Sequence, residues 1–255
     1  MGQAERPTWV IAHRGASRDC PENTIAAFDE ALRQGCDGIE LDVQLSRDGV
    51  PVVYHDKTLT KAGGGRRRVA QLAQRELAAL EVGGWFDARF SGQRIPALED
   101  VLERYGGRTR LFVEIKTREG TTAPDRHDLL ARTVAGLIKK MSLEKRVCVL
   151  SFDADVLAAC SREAPRLRPV LNLKPPPRLT PTVRKRLASL HALSADVRTL
   201  TGTFADGVRR AGRPLFVFTC NTPGNVERAL AVRPAGVMSD RPGWLADQIQ
   251  RGRNE

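Results

Sequence analysis

Short apolar runs alternate with longer amphipathic stretches along most of this chain. The run Trp9–Ala12 leads into a stretch in which Ile25, Phe28 and Leu32 recur at helical spacing. The pattern repeats and yields eight apolar strands: WVIA, GIELDV, RLFVEIK, RVCVLSF, RPVLNLK, ALSADV, LFVFTCN and GVMSD. Alternating strands and helices predict an α/β fold with a parallel sheet, and eight such units predict a closed TIM (β/α)8 barrel. An open, doubly wound sheet is the alternative.

One segment after the second strand breaks this alternation. Asp48-Gly49 is a hairpin-turn signal between two alternating runs, so PVVYHD is predicted to fold back on the second strand. A two-residue loop places His55 opposite Asp42, and a four-residue loop places it opposite Glu40. Either register keeps the histidine and both carboxylates on one face. The opposite face is then apolar and consists of Leu41, Val43, Leu45, Val50, Val52 and Tyr54.

The chain is long enough for one barrel and shows no interdomain linker. Its 255 residues and 28.1 kDa match a single (β/α)8 unit. We therefore expect one domain over residues 1–255, with a hairpin and a small insertion over about residues 50–94. No run approaches the roughly 18 apolar residues of a membrane span. The N-terminus lacks a secretory pattern, so a cytoplasmic location is expected.

The formal net charge of +11 suggests an anionic partner. Two basic runs, Arg66–Arg68 and Arg184–Arg186, lack interleaved aromatic residues and stand near no nucleic-acid motif. Nucleic-acid binding is therefore not expected, and any membrane contact is expected to be peripheral. A small anionic substrate steered to the protein explains the charge as well. A monomer or a homodimer is expected.

Three carboxylates stand near the ends of neighbouring predicted strands. Glu40 and Asp42 lie two residues apart on one strand and so share a face, and Glu114 is near the end of the next barrel strand. Converging carboxylates repel one another unless protons or a cation compensate. Oxygen ligands suit a hard divalent ion, so the pattern indicates one Mg²⁺ or Ca²⁺ ion.

Two histidines and two cations accompany these carboxylates. His13 and Arg14 end the first strand, Lys116 shares a face with Glu114, and His55 lies in the predicted hairpin. An arginine fork suits a phosphate group, and two histidines can accept and donate protons. Together with a metal ion, these groups favour phosphodiester cleavage.

At these residues the sequence resembles the glycerophosphodiester phosphodiesterase family over nearly its whole length. The motifs, in order, are HRG (His13–Gly15), PENT (Pro21–Thr24), ELD (Glu40–Asp42), DGVPVVYHD (Asp48–Asp56), IPALEDVL (Ile95–Leu102), EIK (Glu114–Lys116), SFD (Ser151–Asp153) and GVMSDRP (Gly236–Pro242). The resemblance implies a TIM barrel whose second strand carries the hairpin. It also implies a hydrolase of glycerol and lipid metabolism that converts glycerophosphodiesters to sn-glycerol 3-phosphate and an alcohol.

The resemblance also implies roles for individual residues. By it, the metal ligands are Glu40, Asp42 and Glu114, and His13 and His55 form the general acid and base pair. The glycerol 2-hydroxyl would attack the phosphorus, and a cyclic phosphate would then be hydrolysed. The substrate-binding residues implied are Arg14, Lys116, Glu22, Asn23 and Phe218. Asn23 is also a candidate N-cap of the following helix, and that interpretation is favoured.

Phe218 departs from the family pattern, in which many members have a tryptophan. It keeps an aromatic wall but lacks the indole donor, which affects the fit of the glycerol or alcohol group. Two alternatives to the simple diesterase stay open. A lysophospholipase D would need an apolar groove, for which the candidates are Trp85, Phe86 and Phe90. A non-catalytic barrel that binds phosphorylated ligands is the other.

Overall fold

The computed structural model describes residues 8–117 and 124–254. Eight parallel strands form a closed barrel, because the first strand pairs with the second on one side and with the last on the other. The predicted TIM barrel is therefore confirmed, and the open sheet is wrong. In chain order the strands are β1 (Trp9–His13), β2 (Gly38–Leu45), β3 (Pro51–Val53), β4 (Arg110–Ile115), β5 (Val147–Ser151), β6 (Arg168–Leu173), β7 (Ala192–Asp196), β8 (Leu215–Phe218) and β9 (Gly236–Ser239), of which β3 lies outside the barrel.

The helices begin at residues that satisfy their first backbone N–H groups. Thr24, Thr201 and Thr222 each accept a hydrogen bond from a backbone N–H in the first turn. The helices are α1 (Ile25–Arg33), α2 (Gln74–Ala78), α3 (Leu98–Tyr105), α4 (Pro124–Lys140), α5 (Ala154–Glu163), α6 (Pro181–Arg186), α7 (Gly202–Arg210), α8 (Pro223–Leu230) and α9 (Pro242–Asn254). Within the described ranges, none of them has the length and apolar character needed to cross a membrane.

The barrel strands are buried on both faces. On β4, Leu111 and Val113 join the core between the strands and the helices, whereas Phe112 points to the barrel interior. The interior is filled by Ile11, Phe112, Cys148, Leu150, Val170, Ala192, Phe216 and Met238. Because side chains alternate along a strand, Glu114 points to the same side as Phe112, one step nearer the carboxyl end. The apolar interior therefore ends where the polar groups begin.

The hairpin is present, but its register differs from both predicted ones. Val43 lies opposite Val53, and the backbone N–H of Ser46 donates to Val50 O at 2.9 Å. The loop therefore has three residues, and Gly49 closes it in the left-handed conformation, with φ of +83°. The two-residue and four-residue loops are each wrong by one residue. Because β3 ends at Val53, the pairing with β2 does not fix the side-chain direction of His55.

This register also divides the predicted apolar face. Val53 packs in the main core with Val43 and Leu45, whereas Val52 and Tyr54 belong to a separate cluster. That cluster is the core of the segment between β3 and α3, and it includes Leu59, Ala62, Val69, Leu72, Leu77, Val82 and Ile95. The prediction that Val52 and Tyr54 share a face with Leu41, Val43 and Leu45 is therefore wrong. The inserted segment is held to the barrel through β3 and has apolar packing of its own.

Candidate active site

A cavity of about 480 Å³ opens at the carboxyl ends of the barrel strands. Of the residues singled out from the sequence, its walls contain His13, Arg14, Glu40, Glu114, Lys116 and Phe218. Ligand sites in this fold occur at this end of the barrel. The cavity therefore lies where the polar strand ends predict a site.

The three predicted carboxylates come together beside this cavity. Asp42 lies directly opposite Glu114 in the pairing of β2 with β4, and Glu40 lies one step earlier on the same face of β2. One oxygen of each carboxylate lies within 4.8 Å of one oxygen of the other two. Glu40 is 2% exposed and Asp42 is 1% exposed. Burial and the neighbouring Asp42 charge raise the pKa of Glu40 to about 8.

Two cations hold Asp42 in its charged form. Lys116 Nζ lies 3.0 Å from Asp42 Oδ1 and donates to Glu114 Oε1 at 2.8 Å. Arg14 Nε lies 3.2 Å from Asp42 Oδ2, on the other side of the carboxylate. Burial favours the neutral acid, but Lys116 and Arg14 outweigh it and hold the pKa of Asp42 well below its usual value.

Arg14 is held at this site from several sides. Its backbone has φ of +57°, and its N–H donates to Glu40 Oε2 at 3.0 Å. Its Nη1 donates to Glu22 Oε2 at 2.8 Å, while the buried Nε forms an ion pair with Asp42 but is not oriented to donate a hydrogen bond to it. Because Arg14 lines the cavity, its guanidinium is placed to contact an anionic ligand.

The carboxylate cluster fits a divalent cation. Two buried carboxylates and the partly exposed Glu114 are a hard, all-oxygen donor set, and their mutual repulsion favours a bound positive charge. Asn172 on β6 adds another polar group beside them, since its Nδ2 donates to Glu114 Oε2 at 3.3 Å. Its buried Oδ1 has no partner in the described part of the chain. Asn172 is not among the site residues predicted from the sequence, although a polar residue within the apolar run RPVLNLK is a signal for it.

His13 is oriented by a residue from the far end of the chain. Its Nδ1 lies 2.7 Å from Asp240 Oδ1, and its Nε2 lies 3.9 Å from Glu40 Oε2. Asp240 is itself held by Asn221, whose Nδ2 donates to Asp240 Oδ2 at 2.6 Å. Burial lowers the pKa of His13, but Asp240 and Glu40 together outweigh burial and raise it. Asp240 and Asn221 are not among the site residues predicted from the sequence, although Asp240 lies in the motif GVMSDRP and Asn221 ends the apolar run LFVFTCN.

His55 lies in the loop after β3, beside a second small crevice. Its Nδ1 lies 2.9 Å from Asp56 Oδ1, and Asp56 Oδ2 is 3.3 Å from Lys61 Nζ. Burial lowers the pKa of His55, and the charges of Arg14 and Lys116 add to this effect, although Asp42 opposes it. A ring nitrogen of His55 lies within 4.8 Å of a carboxylate oxygen of Glu22, and Glu22 accepts a hydrogen bond from Arg14. His55 therefore reaches the polar region around Arg14 from the side of the inserted segment.

Asn23 does not cap the following helix, so that prediction is wrong. The cap is Thr24, whose Oγ1 accepts a hydrogen bond from the backbone N–H of Ala27. Asn23 instead donates from Nδ2 to Asp42 Oδ2 at 2.8 Å and accepts from the Asp42 N–H at 3.1 Å. Its backbone has φ of +59°, which turns the side chain toward β2 rather than along α1. Asn23 therefore orients a carboxylate of the site.

Aromatic side chains border the cavity on the side of β5 and β8. Phe218 meets Phe152 edge to face, with 6.3 Å between the ring centroids, and both line the cavity. Trp85 of the inserted segment is 48% exposed and lies beside the crevice of His55, where Lys61 Nζ sits 5.0 Å from its ring. Phe86 and Phe90 pack edge to face at 5.7 Å within that segment.

Comparison with known proteins agrees with this architecture. Residues 13–244 match the model of the glycerophosphoryl diester phosphodiesterase family. A glycerophosphodiester phosphodiesterase of Caldanaerobacter subterraneus subsp. tengcongensis is 34% identical over 250 residues, which are 96% of this chain and 99% of the relative. The crystal structure of a glycerophosphodiester phosphodiesterase from Agrobacterium tumefaciens is 28% identical, with a TM-score of 0.77, and the match covers 94% of this chain and 100% of that one.

A second solved structure contains a ligand. It is an Oleispira antarctica phosphodiesterase in complex with the product sn-glycerol-3-phosphate, 25% identical, with a TM-score of 0.82 and coverage of 96% of this chain and 97% of that one. The family match runs from the last residue of β1 to the first turn of α9, which is more than half of the sequence. The chain belongs to the glycerophosphoryl diester phosphodiesterase family and is a phosphoric diester hydrolase.

Proposed function

We propose that this protein hydrolyses glycerophosphodiesters to sn-glycerol 3-phosphate and an alcohol, with one divalent ion, Mg²⁺ or Ca²⁺, at its site. The observation that carries the proposal is the cluster of Glu40, Asp42 and Glu114 beside two cations and a histidine held by a carboxylate. The product complex of the Oleispira antarctica relative supports the same substrate class.

Glu40, Asp42 and Glu114 would hold the metal ion. When bound, such an ion supplies positive charge that offsets the charge developing on the phosphate oxygens. Arg14 and Lys116 contribute the protein's own positive charges at the cavity wall. The pKa of Lys116 is raised, since Asp42 and Glu114 outweigh the effect of burial, so its ammonium stays protonated. Both side chains can therefore donate hydrogen bonds to phosphate oxygens.

His13 is assigned the general base. If its Nδ1–H donates to Asp240, the neutral ring presents Nε2 as an acceptor. This nitrogen would take the proton of the glycerol 2-hydroxyl as the oxygen attacks phosphorus. His55 is assigned the general acid and would protonate the departing alcohol oxygen. Water then opens the resulting cyclic phosphate, with the two histidines exchanging roles.

The cavity favours a small leaving alcohol over a lipid. Its volume of about 480 Å³ is within the range of small-molecule sites. The large apolar side chains that are exposed in the described residues are Trp85, Leu129 and Phe152, which do not form a continuous groove. A lysophospholipase D is therefore the weaker proposal. A single domain over residues 1–255, a cytoplasmic location and a monomer or homodimer stay predictions.

Variants of the histidines test the proposed roles. His13→Ala and His55→Ala should each lower kcat for glycerophosphocholine by about 10²–10⁴-fold, the usual contribution of general acid–base catalysis. His127→Ala on α4 is the matched control and should keep the activity of the unchanged protein. Full activity in either site variant, with the fold intact by circular dichroism, would rule out the assigned role for that histidine.

A further inference from the structure

The end of the barrel opposite the cavity carries a ring of basic side chains. From β4 onward, a basic residue stands at the start of each strand or within three positions before it. These residues, called the basic ring, are Arg110, Arg146, Arg168, His191, Arg213 and Arg233. They line a recess of about 1190 Å³, to which Lys145 and Arg209 also contribute. Six consecutive strands therefore bring positive or protonatable groups to one place.

In the described part of the chain, the lining of the recess offers Arg168 and Arg213 no acidic partner. No carboxylate is found among the described residues that line the recess. Arg209 forms an ion pair with Asp206, but no ion pair within the described ranges involves Arg168 or Arg213. The buried Nε of Arg213 also has no hydrogen-bond partner there. Clustered like charges repel one another, so the recess gains from an added anion.

The arginines of the basic ring also act on His191. Burial lowers the pKa of His191, and the charges of Arg168 and Arg213 lower it further. The floor of the recess is aromatic, since Trp9 stacks on the buried Phe216 with centroids 6.2 Å apart. Arg110 covers Trp9, at 4.2 Å from the ring. These contacts cover the aromatic floor, so it is not open to stacking with a nucleobase.

We propose that the recess is a binding site for a compact, soluble oligophosphate, distinct from the active site. The ligand would be a small anion with several adjacent phosphate groups, held by the arginines of the basic ring. Oligophosphates match this arrangement because several arginine forks can each pair with a phosphate. The site takes no part in the proposed hydrolysis, because it lies at the amino ends of the strands.

The shape of the recess separates a soluble anion from other polyanions. The cations lie on the walls of a concavity, which a planar bilayer would meet only at its rim. Proteins that bind single-stranded nucleic acid offer exposed aromatic faces for the bases, whereas Trp9 is stacked on one side and covered by Arg110. Phosphate groups without a base or an acyl chain are therefore the best match.

Calorimetric titration with tripolyphosphate tests the proposal. In Arg168→Gln/Arg213→Gln the affinity should fall by about 100-fold, since each lost charge-assisted contact is worth roughly a factor of ten. Lys145→Gln/Arg146→Gln changes exposed residues and should weaken binding without risk to the fold. Arg66→Gln/Arg75→Gln removes the same charge from exposed positions outside the recess and should keep the affinity. Lys116→Gln should keep it too, because it alters only the active site.

Thermal unfolding provides a second measurement. At about a hundredfold excess over Kd, tripolyphosphate should raise the Tm of the unchanged protein by about 5–10 °C, and at the same concentration the shift should fall to about 1–2 °C in Arg168→Gln/Arg213→Gln. Equal weakening in the recess and control variants would contradict the proposal and indicate diffuse attraction. Binding to phosphatidylglycerol vesicles or to single-stranded DNA, without binding to tripolyphosphate, would also overturn it.

Discussion

His13 Nδ1 lies 2.7 Å from Asp240 Oδ1, although 227 positions separate the two residues in the chain. Closure of the barrel brings them together, because β1 pairs with β9. The contact presents the other ring nitrogen of His13 toward Glu40, at 3.9 Å. Asp240 thus acts as a positioning residue for the proposed base.

Asp240→Asn should therefore lower kcat with little effect on KM. The variant keeps the size of the side chain but loses the charge that holds the imidazole, so we expect about a 10²-fold loss, within the range of general-base catalysis. Asp155→Asn, at an exposed carboxylate on α5, is the control and should match the unchanged protein. A rise in KM with an unchanged kcat would instead assign Asp240 to substrate binding.

The carboxylate cluster makes a prediction about metal binding that does not depend on turnover. Titration calorimetry should detect Mg²⁺ or Ca²⁺ binding to the unchanged protein, and Glu114→Gln should weaken it by at least about 10²-fold because one of three charged ligands is lost. Glu103→Gln, an exposed carboxylate on α3, should bind the ion normally. Equal affinity for the ion in both variants would show that Glu114 is not a metal ligand.

Gly15 is expected to be indispensable to the turn that follows His13 and contains Arg14. Its φ is +81°, and a Cβ there would lie 2.7 Å from the backbone of Ala27. Gly15→Ala should lower the free energy of unfolding by about 2–5 kcal/mol, from the backbone conformation and the overlap together. Activity should fall with it.

Gly212 provides the matched comparison. It has φ of +66°, but a Cβ there would have nothing within 4 Å. Gly212→Ala should therefore cost only the conformational part, about 1–2 kcal/mol, and keep the activity. Urea unfolding of both variants measures the difference. Equal losses of stability would show that the contact of Gly15 with Ala27 is unimportant.

His191 predicts a pH dependence of stability at the other end of the barrel. Its folded-state pKa lies below the ordinary value of 6.5, so the unfolded chain takes up a proton first as the pH falls. Above pH 6.5 the histidine is neutral in both states and does not change the free energy of unfolding. As the pH falls from 6.5 toward the folded-state pKa, the unfolded chain binds more protons than the folded protein, so the free energy of unfolding decreases. His191→Gln should remove this dependence.

Urea unfolding at about pH 7.5 and about pH 5.5 checks the sign. The unchanged protein should lose more stability between these two values than His191→Gln does. Tripolyphosphate should reduce the loss if it occupies the basic ring, because bound negative charge favours the protonated imidazole. A larger loss in the variant would contradict the lowered pKa.

Local rules predict the barrel and much of its site. Strand periodicity places Glu40 and Asp42 on one face, and parallel pairing brings Glu114 beside them, so these positions follow from spacing alone. The loop length of the hairpin does not follow from spacing, since Asp48-Gly49 is compatible with loops of two, three or four residues. Because the loop differs by one residue from each predicted length, Val52 and Tyr54 pack in the core of the inserted segment.

Long-range contacts account for the features of the site that could not be predicted from the sequence. The bond from Asn23 to Asp42 depends on the left-handed backbone at Asn23, and nothing local distinguishes this asparagine from a helix cap. The pairing of His13 with Asp240 requires closure of the barrel. The basic ring is likewise visible only once the beginnings of six strands lie at one end.

Phosphorus NMR of glycerophosphocholine incubated with the purified protein tests the central claim most directly. With Mg²⁺ or Ca²⁺ the phosphodiester signal should give way to that of sn-glycerol 3-phosphate, EDTA should stop the conversion, and fresh metal should restore it. Release of phosphocholine in place of sn-glycerol 3-phosphate, or no conversion with either ion, would contradict the proposed function.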